Sequence, residues 1–468
     1  MAAFLDVCRF NPTAGGTTDW TYSTPVTGYQ SPAAANVVNG RAYKYRAESA
    51  DLSQWELGEG AYNTATGVLA RSTVLYNSSG TTAKINFSAA PQVAIVALKE
   101  DLLSIEEANS FTDAQKQQAR QNIYAAPFDA MAWSNLFVNG QMDVSQENGA
   151  TSVSLASGTP KYVVDGWKCA FSNASASFVA QQSSTAPAGF INTCTLSAGG
   201  AGLSLSSGDY VYIAQPIEGW RMARLAWGTA NAQPITVGFI IDPTIAGSNT
   251  ISVAVQNSAK NRSYVTNVSG IAQFSWNFVE VTIPGDLSGT WLTNNSVGAW
   301  VYITLACGSS RQTTANAWAS GDFIGTSSTS NFFASASSVL VTGAFAIAGN
   351  EGPYGNSFNP MHWANLFRPY DVELDICKRY YEKGTEDLLY LSSMANTGQY
   401  FTVHFMKEKR ANGTVTQTGW QYISGGAGAS CTPTLNNVDP KYFSYVLSGL
   451  TNAEGITLSG TWVCDARL

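Results

Sequence analysis

Apolar and polar positions alternate along much of the chain, and the alternation comes in short stretches. Arg41-Ala42-Tyr43-Lys44-Tyr45-Arg46-Ala47 has the period of two expected of a half-buried strand. Trp55-Glu56-Leu57-Gly58-Glu59-Gly60 follows, then a Thr66-Gly67 turn, Val74-Leu75-Tyr76 and an Asn77-Ser78-Ser79-Gly80 turn. Ile85-Asn86-Phe87 and the apolar run 93–98 close the segment. Short strands broken by turn residues about every ten positions predict a small β-sandwich or barrel over residues 1–100.

The pattern changes over residues 101–126. FTDAQKQQARQNIYAA is rich in helix formers, and Thr112 with Gln115 three positions on is spaced for a capping box. Its apolar content is thin (Phe111, Ala119 and Ile123), so a helical connector here needs burial from neighbours, either a preceding domain or two symmetry mates. Strand-like segments resume over residues 127–366, at 161–165, 210–214, 235–241, 250–255, 278–283, 299–305 and 339–347, with turn clusters at 198–202 and 327–331. No repeat of solenoid length interrupts them, which predicts a jelly-roll-like β-sandwich. Residues 367–468 open differently. Leu374, Cys377 and Tyr381 share one helix face, with Pro369 before it, Asp371 placed to cap it and Gly384 placed to end it. Strands at 400–406, 414–420, 442–447 and 456–463 then make a C-terminal β domain. The fold class is mainly β.

Composition adds an oligomer to this picture. Charged residues are 12% of the chain while the apolar fraction is an ordinary 45%, so low charge is not a mark of disorder. It suits subunits that hide surface against copies of themselves. The net charge is −7 with no run of Lys or Arg, which argues against nucleic acid as a partner. The start, MAAFLDVCRF, lacks the pattern of a secretory signal, and the longest apolar stretch, 339–349, is too short to span a bilayer. No membrane insertion is expected. The seven cysteines (Cys8, Cys169, Cys194, Cys307, Cys377, Cys431 and Cys464) form no CxxC pair and read as buried reduced thiols.

Candidate chemistry is sparse. The two histidines, His362 and His404, have no nucleophile signature beside them, and no metal, nucleotide or cofactor motif is present. No cofactor is expected, and no enzymatic activity. Glycosidic cleavage needs a pair of carboxylates set by the fold, for which Asp165, Glu218, Asp242 and Glu280 are candidates. Among thirteen tryptophans, Trp133, Trp167, Trp220, Trp227, Trp276 and Trp363 stand beside strand-like or turn segments. Aromatic faces stack on sugar rings, so Trp167, Trp220, Trp227 and Trp276 are the candidate glycan contacts. The loops at 246–249 and 308–317 are expected contact sites.

Three stretches resemble tail-fibre and spike proteins of tailed bacteriophages. Thr27-Gly28-Tyr29, Trp55-Glu56-Leu57-Gly58-Glu59-Gly60-Ala61-Tyr62, Leu69-Ala70-Arg71-Ser72-Thr73-Val74-Leu75 and Asn86-Phe87-Ser88-Ala89 occur in the order of a recurrent phage N-terminal module. FTDAQKQQARQNIYAA is similar to a helical connector common in those fibres, with Tyr124 where glycine is usual. Asn135-Leu136-Phe137-Val138-Asn139-Gly140-Gln141-Met142-Asp143 resembles the opening of a sugar-binding-like jelly roll, with Met142 replacing phenylalanine. Arg368, Glu373-Leu374 and Cys377-Lys378-Arg379-Tyr380-Tyr381-Glu382 resemble the element that closes it, and 462–468 the final strand. The resemblance implies a homotrimer located on the virion. Its N-terminal module would bind a phage portal, neck, tail or capsid protein, and its distal part would contact host cell-surface polysaccharide. A capsid, neck or collar fibre without a receptor, and a polysaccharide depolymerase, are the alternatives.

Overall fold

The computed structural model describes residues 3–98, 112, 115–116, 119–120, 132–200, 202–350, 352, 366–390, 399–424, 427–430, 433–447 and 456–468. The chain divides into two compact units, residues 1–119 and 120–468. Most of the expected connector at 101–126 lies outside the described residues, as do His362, Trp363 and Cys431. Inside the connector the capping box is formed: the Thr112 amide donates to Gln115 Oε1 (2.8 Å) and the Gln115 amide to Thr112 Oγ1 (3.3 Å).

The first unit is a barrel. Its strands are β1 (Cys8–Pro12), β2 (Trp20–Pro25), β3 (Ala42–Glu48), β4 (Trp55–Asn63), β5 (Val68–Leu69), β6 (Thr73–Asn77) and β7 (Gln92–Ile95). They pair in the order β3-β7-β1-β2-β5-β4-β6, and β4 pairs back onto β3, so six strands close on themselves. Closure removes edges that would otherwise stand open. Phe10, Trp20, Tyr45, Tyr62, Leu69, Val93 and Ile95 fill the interior.

Glu56 and Arg71, from the first recognised stretch, are buried in that interior as an ion pair. Glu56 also accepts from Tyr45 Oη (2.9 Å) and the Ile85 amide (2.7 Å), while Arg71 reaches the carbonyls of Gly16 and Ile85 and lies 4.7 Å from the Trp20 ring centre. Gly60 is required by the same geometry, because a Cβ there would stand 1.7 Å from the Ala70 carbonyl oxygen.

The second unit begins with a two-sheet sandwich of jelly-roll type. Its strands are β8 (Val153–Ser154), β9 (Lys161–Val164), β10 (Trp167–Ser172), β11 (Phe178–Ser183), β12 (Thr193–Ala198), β13 (Tyr210–Glu218) and β14 (Ile235–Pro243), followed by β15 (Ser248–Asn257), β16 (Ser263–Ala272), β17 (Asn277–Ile283), β18 (Val297–Cys307), β19 (Trp318–Ala319) and β20 (Ser338–Ala348). One sheet runs β19-β16-β15-β18-β13-β10-β9 and the other β17-β14-β20-β12-β11-β8. Their inner faces enclose one core, including Trp167, Phe171, Ile213, Phe239, Val253, Ile303 and Val341.

The C-terminal part holds a helix (Tyr370–Cys377), then β21 (Tyr381–Tyr390), β22 (Gln399–His404), β23 (Thr414–Ser424), β24 (Ala427–Ser430), β25 (Pro433–Asp439), β26 (Tyr442–Leu447) and β27 (Ile456–Asp465). Sheets β21-β27-β23-β24 and β22-β26-β25 pack around Val403, Phe405, Trp420, Phe443, Tyr445 and Trp462. Two local expectations are corrected. Asp371 lies within the first turn while Pro369 is the cap residue, and the helix stops at Cys377. Gly384 is inside β21 opposite Trp462, not at a helix end. A ladder from Tyr381–Asp465 to Tyr390–Ile456 outweighs one more turn of a short, weakly apolar helix.

The jelly-roll opening and closing elements lock together. Arg368 donates to the carbonyls of Asn135 (2.8 Å) and Phe137 (3.3 Å) and pairs with Glu373 (3.0 Å). The Asn139 amide donates to Glu373 (2.6 Å), and Trp167 Nε1 donates to the Asn139 carbonyl (3.0 Å). Arg379 and Tyr380 bind Glu218 at the end of β13.

Candidate functional site

Alternation along the sandwich strands settles which side chains face outward. β18 sends Ala299, Val301, Ile303 and Leu305 into the core and leaves Trp300, Tyr302 and Thr304 on the other face. On β13, Val211 and Ile213 point in while Tyr210 and Tyr212 point out; on β10, Trp167, Cys169 and Phe171 point in while Lys168 and Ala170 point out. Register aligns Lys168, Ala214, Tyr302 and Ala254 across four strands. Small residues at Ala170, Ala214 and Ala254 leave room for the rings beside them.

The result is a diagonal strip of four aromatic rings. Tyr210 stacks on Tyr212 at 5.2 Å, Tyr212 meets Tyr302 edge-on at 5.0 Å, and Tyr302 stacks with Trp300 at 6.0 Å between ring centres. Cations stand at both ends. Lys168 and Lys260 hold their ammonium groups 5.1 and 4.9 Å from the Trp300 ring centre, and the Arg311 guanidinium lies 5.4 Å from that of Tyr210. Tyr212 and Tyr302 are buried, whereas Tyr210 and Trp300 at the two ends, with Lys168 and Lys260, are half-buried and present part of their surface.

Polar groups frame the strip. Arg311, from the 308–317 loop, pairs with Asp322. Gln256 donates to Asp322 (2.9 Å) and to the Phe323 carbonyl (3.0 Å). Lys168 donates to the main-chain oxygen of Leu468 (2.7 Å), which also accepts from Tyr162 Oη (2.6 Å). Burial, with the neighbouring Arg467 and Lys260, pushes the Lys168 ammonium down to about 8, and burial lowers that of Lys260. A small cleft adjoins Tyr162, lined by Leu136, Gln215, Glu218, Arg221 and Tyr380 among others.

The tryptophans singled out in the sequence are not brought together. Trp167 is enclosed in the sandwich core against Phe137, at 5.0 Å between ring centres. Trp227 is buried with Trp291 and Trp318, at 4.6 and 5.5 Å. Trp276 packs partly buried beside Ile240, Phe345 and Leu366 on the outer face of the six-stranded sheet. Trp220 is 64% exposed on the short helix Gly219–Met222, and Trp133 is also exposed. The strip itself was missed, although β13 and β18 each show two aromatics two positions apart, opposite an aliphatic face.

The four carboxylates are likewise dispersed. Glu218 is engaged by Arg379 and Tyr380, and Asp165 accepts from the Gln146 amide (2.8 Å), with burial raising its pKa to about 6. Glu280 on β17 faces Gly238, four positions along β14 from Asp242, and burial raises its pKa to about 7. His404 lies 5.8 Å from Tyr442 between ring centres. Among the described residues no cluster of three or more His, Cys, Asp or Glu is placed to hold a metal, and no helix is long and apolar enough to cross a membrane.

No protein-family model and no curated protein sequence matches the chain. Solved structures similar to it include the enzymatically active domain of tailspike protein 4 of bacteriophage CBA120, at 10% identity and a TM-score of 0.22, over 46% of this chain and 22% of that one. A family 11 carbohydrate-binding module from Clostridium thermocellum matches at 13% identity and a TM-score of 0.22, over 43% of this chain and 98% of the module. A family 22 xylan-binding domain from Paenibacillus barcinonensis matches at 6% identity and a TM-score of 0.23, over 44% and 99%. At TM-scores of this size the likeness carries nothing about what this chain binds.

Proposed function

We propose that the chain is a non-enzymatic structural appendage of a tailed-phage virion, a fibre or spike, whose sandwich contacts glycans on the host surface. The observation that supports glycan contact is the aromatic strip from Tyr210 to Trp300, partly open and backed by a sheet that fixes its spacing. Flat rings held rigidly offer stacking surface at little entropic cost. The phage assignment draws on the ordered motifs of the N-terminal barrel and of the sandwich clasp. In this reading the barrel docks to a portal, neck, tail or capsid protein and the chain acts as a homotrimer. Low charge and the thinly apolar connector favour that state.

Binding of the full chain to an array of bacterial surface glycans tests the reading. Trp300→Ala is expected to weaken binding about tenfold or more, the loss typical of a central aromatic anchor, while Trp220→Ala changes little. A reducing-end assay with bound polysaccharides is expected to show no product. Binding indifferent to Trp300, or release of oligosaccharide, would overturn the respective part.

A further inference from the structure

Resting on the reading of the strip as a glycan platform, we infer that its ligand is a carboxylate-bearing, polyanionic polysaccharide, held by Lys168 and Lys260 at Trp300 and by Arg311 at Tyr210. The strip gathers three cations, with Asp322 beside Arg311 and Lys260 and Asp465 near Lys168, on a chain whose net charge is −7. Asp322 is already engaged by Arg311 and Gln256. Lys168 donates to the main-chain oxygen of Leu468 and has Asp465 nearby, whereas Lys260 has no ion pair among the described residues. A neutral sugar would leave the partly desolvated Lys260 ammonium beside the indole without an ion pair. A uronate or sialate supplies it, through charge-assisted bonds that gain from the partial burial. Cations at both ends of a four-ring strip suit charges that recur along a polymer.

The protonation of these groups points the same way. Lys168 faces Arg467, Lys260, Arg410 and Asp465; Lys260 faces Asp322 and Arg311. With Lys168 lowered to about 8, a carboxylate ligand would draw a proton back onto it, so affinity should fall as the solution passes from neutral to about pH 9. Nucleic acid is the disfavoured polyanion, since three cations are few for a row of phosphates.

The test is affinity electrophoresis of the full chain against polygalacturonate, alginate, hyaluronan and polysialate, with galactan, dextran and glucomannan as neutral polymers and single-stranded DNA as a second polyanion. At least one carboxylated polymer should bind, with affinity lowered about tenfold by Lys260→Gln and lowered by salt. Trp300→Ala should abolish it, with circular dichroism confirming that both variants fold. Trp300-dependent binding confined to neutral polymers, or binding unmoved by Lys260→Gln, overturns the anionic assignment and leaves the platform standing. Retention of DNA as strong as that of any polysaccharide also overturns it. Absence of any Trp300-dependent binding refutes the platform itself.

Discussion

Arg71 has its whole guanidinium enclosed, and its partners account for that. It pairs with Glu56, donates to the carbonyls of Gly16, Thr18 and Ile85, and lies against the Trp20 ring. Removing one member leaves a buried charge unpaired, which costs about 3–5 kcal/mol. Arg71→Ala and Glu56→Ala are each expected to destabilise the barrel by that amount in denaturant unfolding. Their combination should cost much less than the sum, because each single change already breaks the network. It should not return to the starting stability, since the Ile85 amide and three carbonyls lose partners in any case. Asp165 is a second buried charge with the opposite bias. Burial raises its pKa from 3.8 to about 6, so its contribution is fully present below the unfolded value and is lost as pH rises through about 6. The protein should gain from this group on going from about pH 7 to about pH 4, and Asp165→Asn should flatten the melting temperature over that window.

Strands and clasps explain what could be read from sequence and what could not. The alternation of β3 and β18 is visible residue by residue, Tyr43, Tyr45 and Ala47 facing in on the one and Ala299, Val301, Ile303 and Leu305 on the other. The motifs quoted from the sequence are buried in the structure: Glu56 with Arg71, and Asn139 with Arg368 and Glu373, together satisfy several backbone groups, so few other residues fit. The strip was not legible, because Lys168, Tyr210 and Trp300 meet only through the register of β10, β13 and β18, and Lys260 enters from the turn between β15 and β16. Counting tryptophans pointed to Trp167 and Trp227, which the core takes for their size. Gly384 read as a helix stop because a local signal cannot reveal a partner strand some eighty residues downstream. The clasp makes its own prediction. Arg368→Ala leaves Glu373 buried and the Asn135 and Phe137 carbonyls without this donor, at a cost of roughly 3 kcal/mol. Arg368→Lys should rescue little, as one ammonium cannot span both carbonyls and the carboxylate. Denaturation midpoints, with proteolysis near residue 368 as a second readout, would check both.

At the scale of the whole molecule, the two compact units, residues 1–119 and 120–468, invite a division of labour. The first is a closed barrel whose motif residues Glu56 and Arg71 are spent on its interior, so on the proposed reading its outer surface would be what meets a particle protein. The second carries the aromatic strip, the sandwich and the C-terminal sheets, and 11 of the 13 tryptophans. We therefore expect residues 1–100 to attach to the virion and residues 127–468 to point away from it. Deleting 1–100 should leave a soluble assembly of about 150 kDa less the deleted mass, three chains of 49.7 kDa being the starting point, that no longer incorporates into particles. Among the described residues the sandwich core is built from positions between Leu136 and Ala346. The converse deletion, from residue 127 onward, should keep incorporation and lose any binding to host glycans. Light scattering measures the first outcome and immunoblotting of purified particles the second. If the chain lacking 1–100 still assembles onto virions, attachment lies in the second unit and the assigned polarity is reversed.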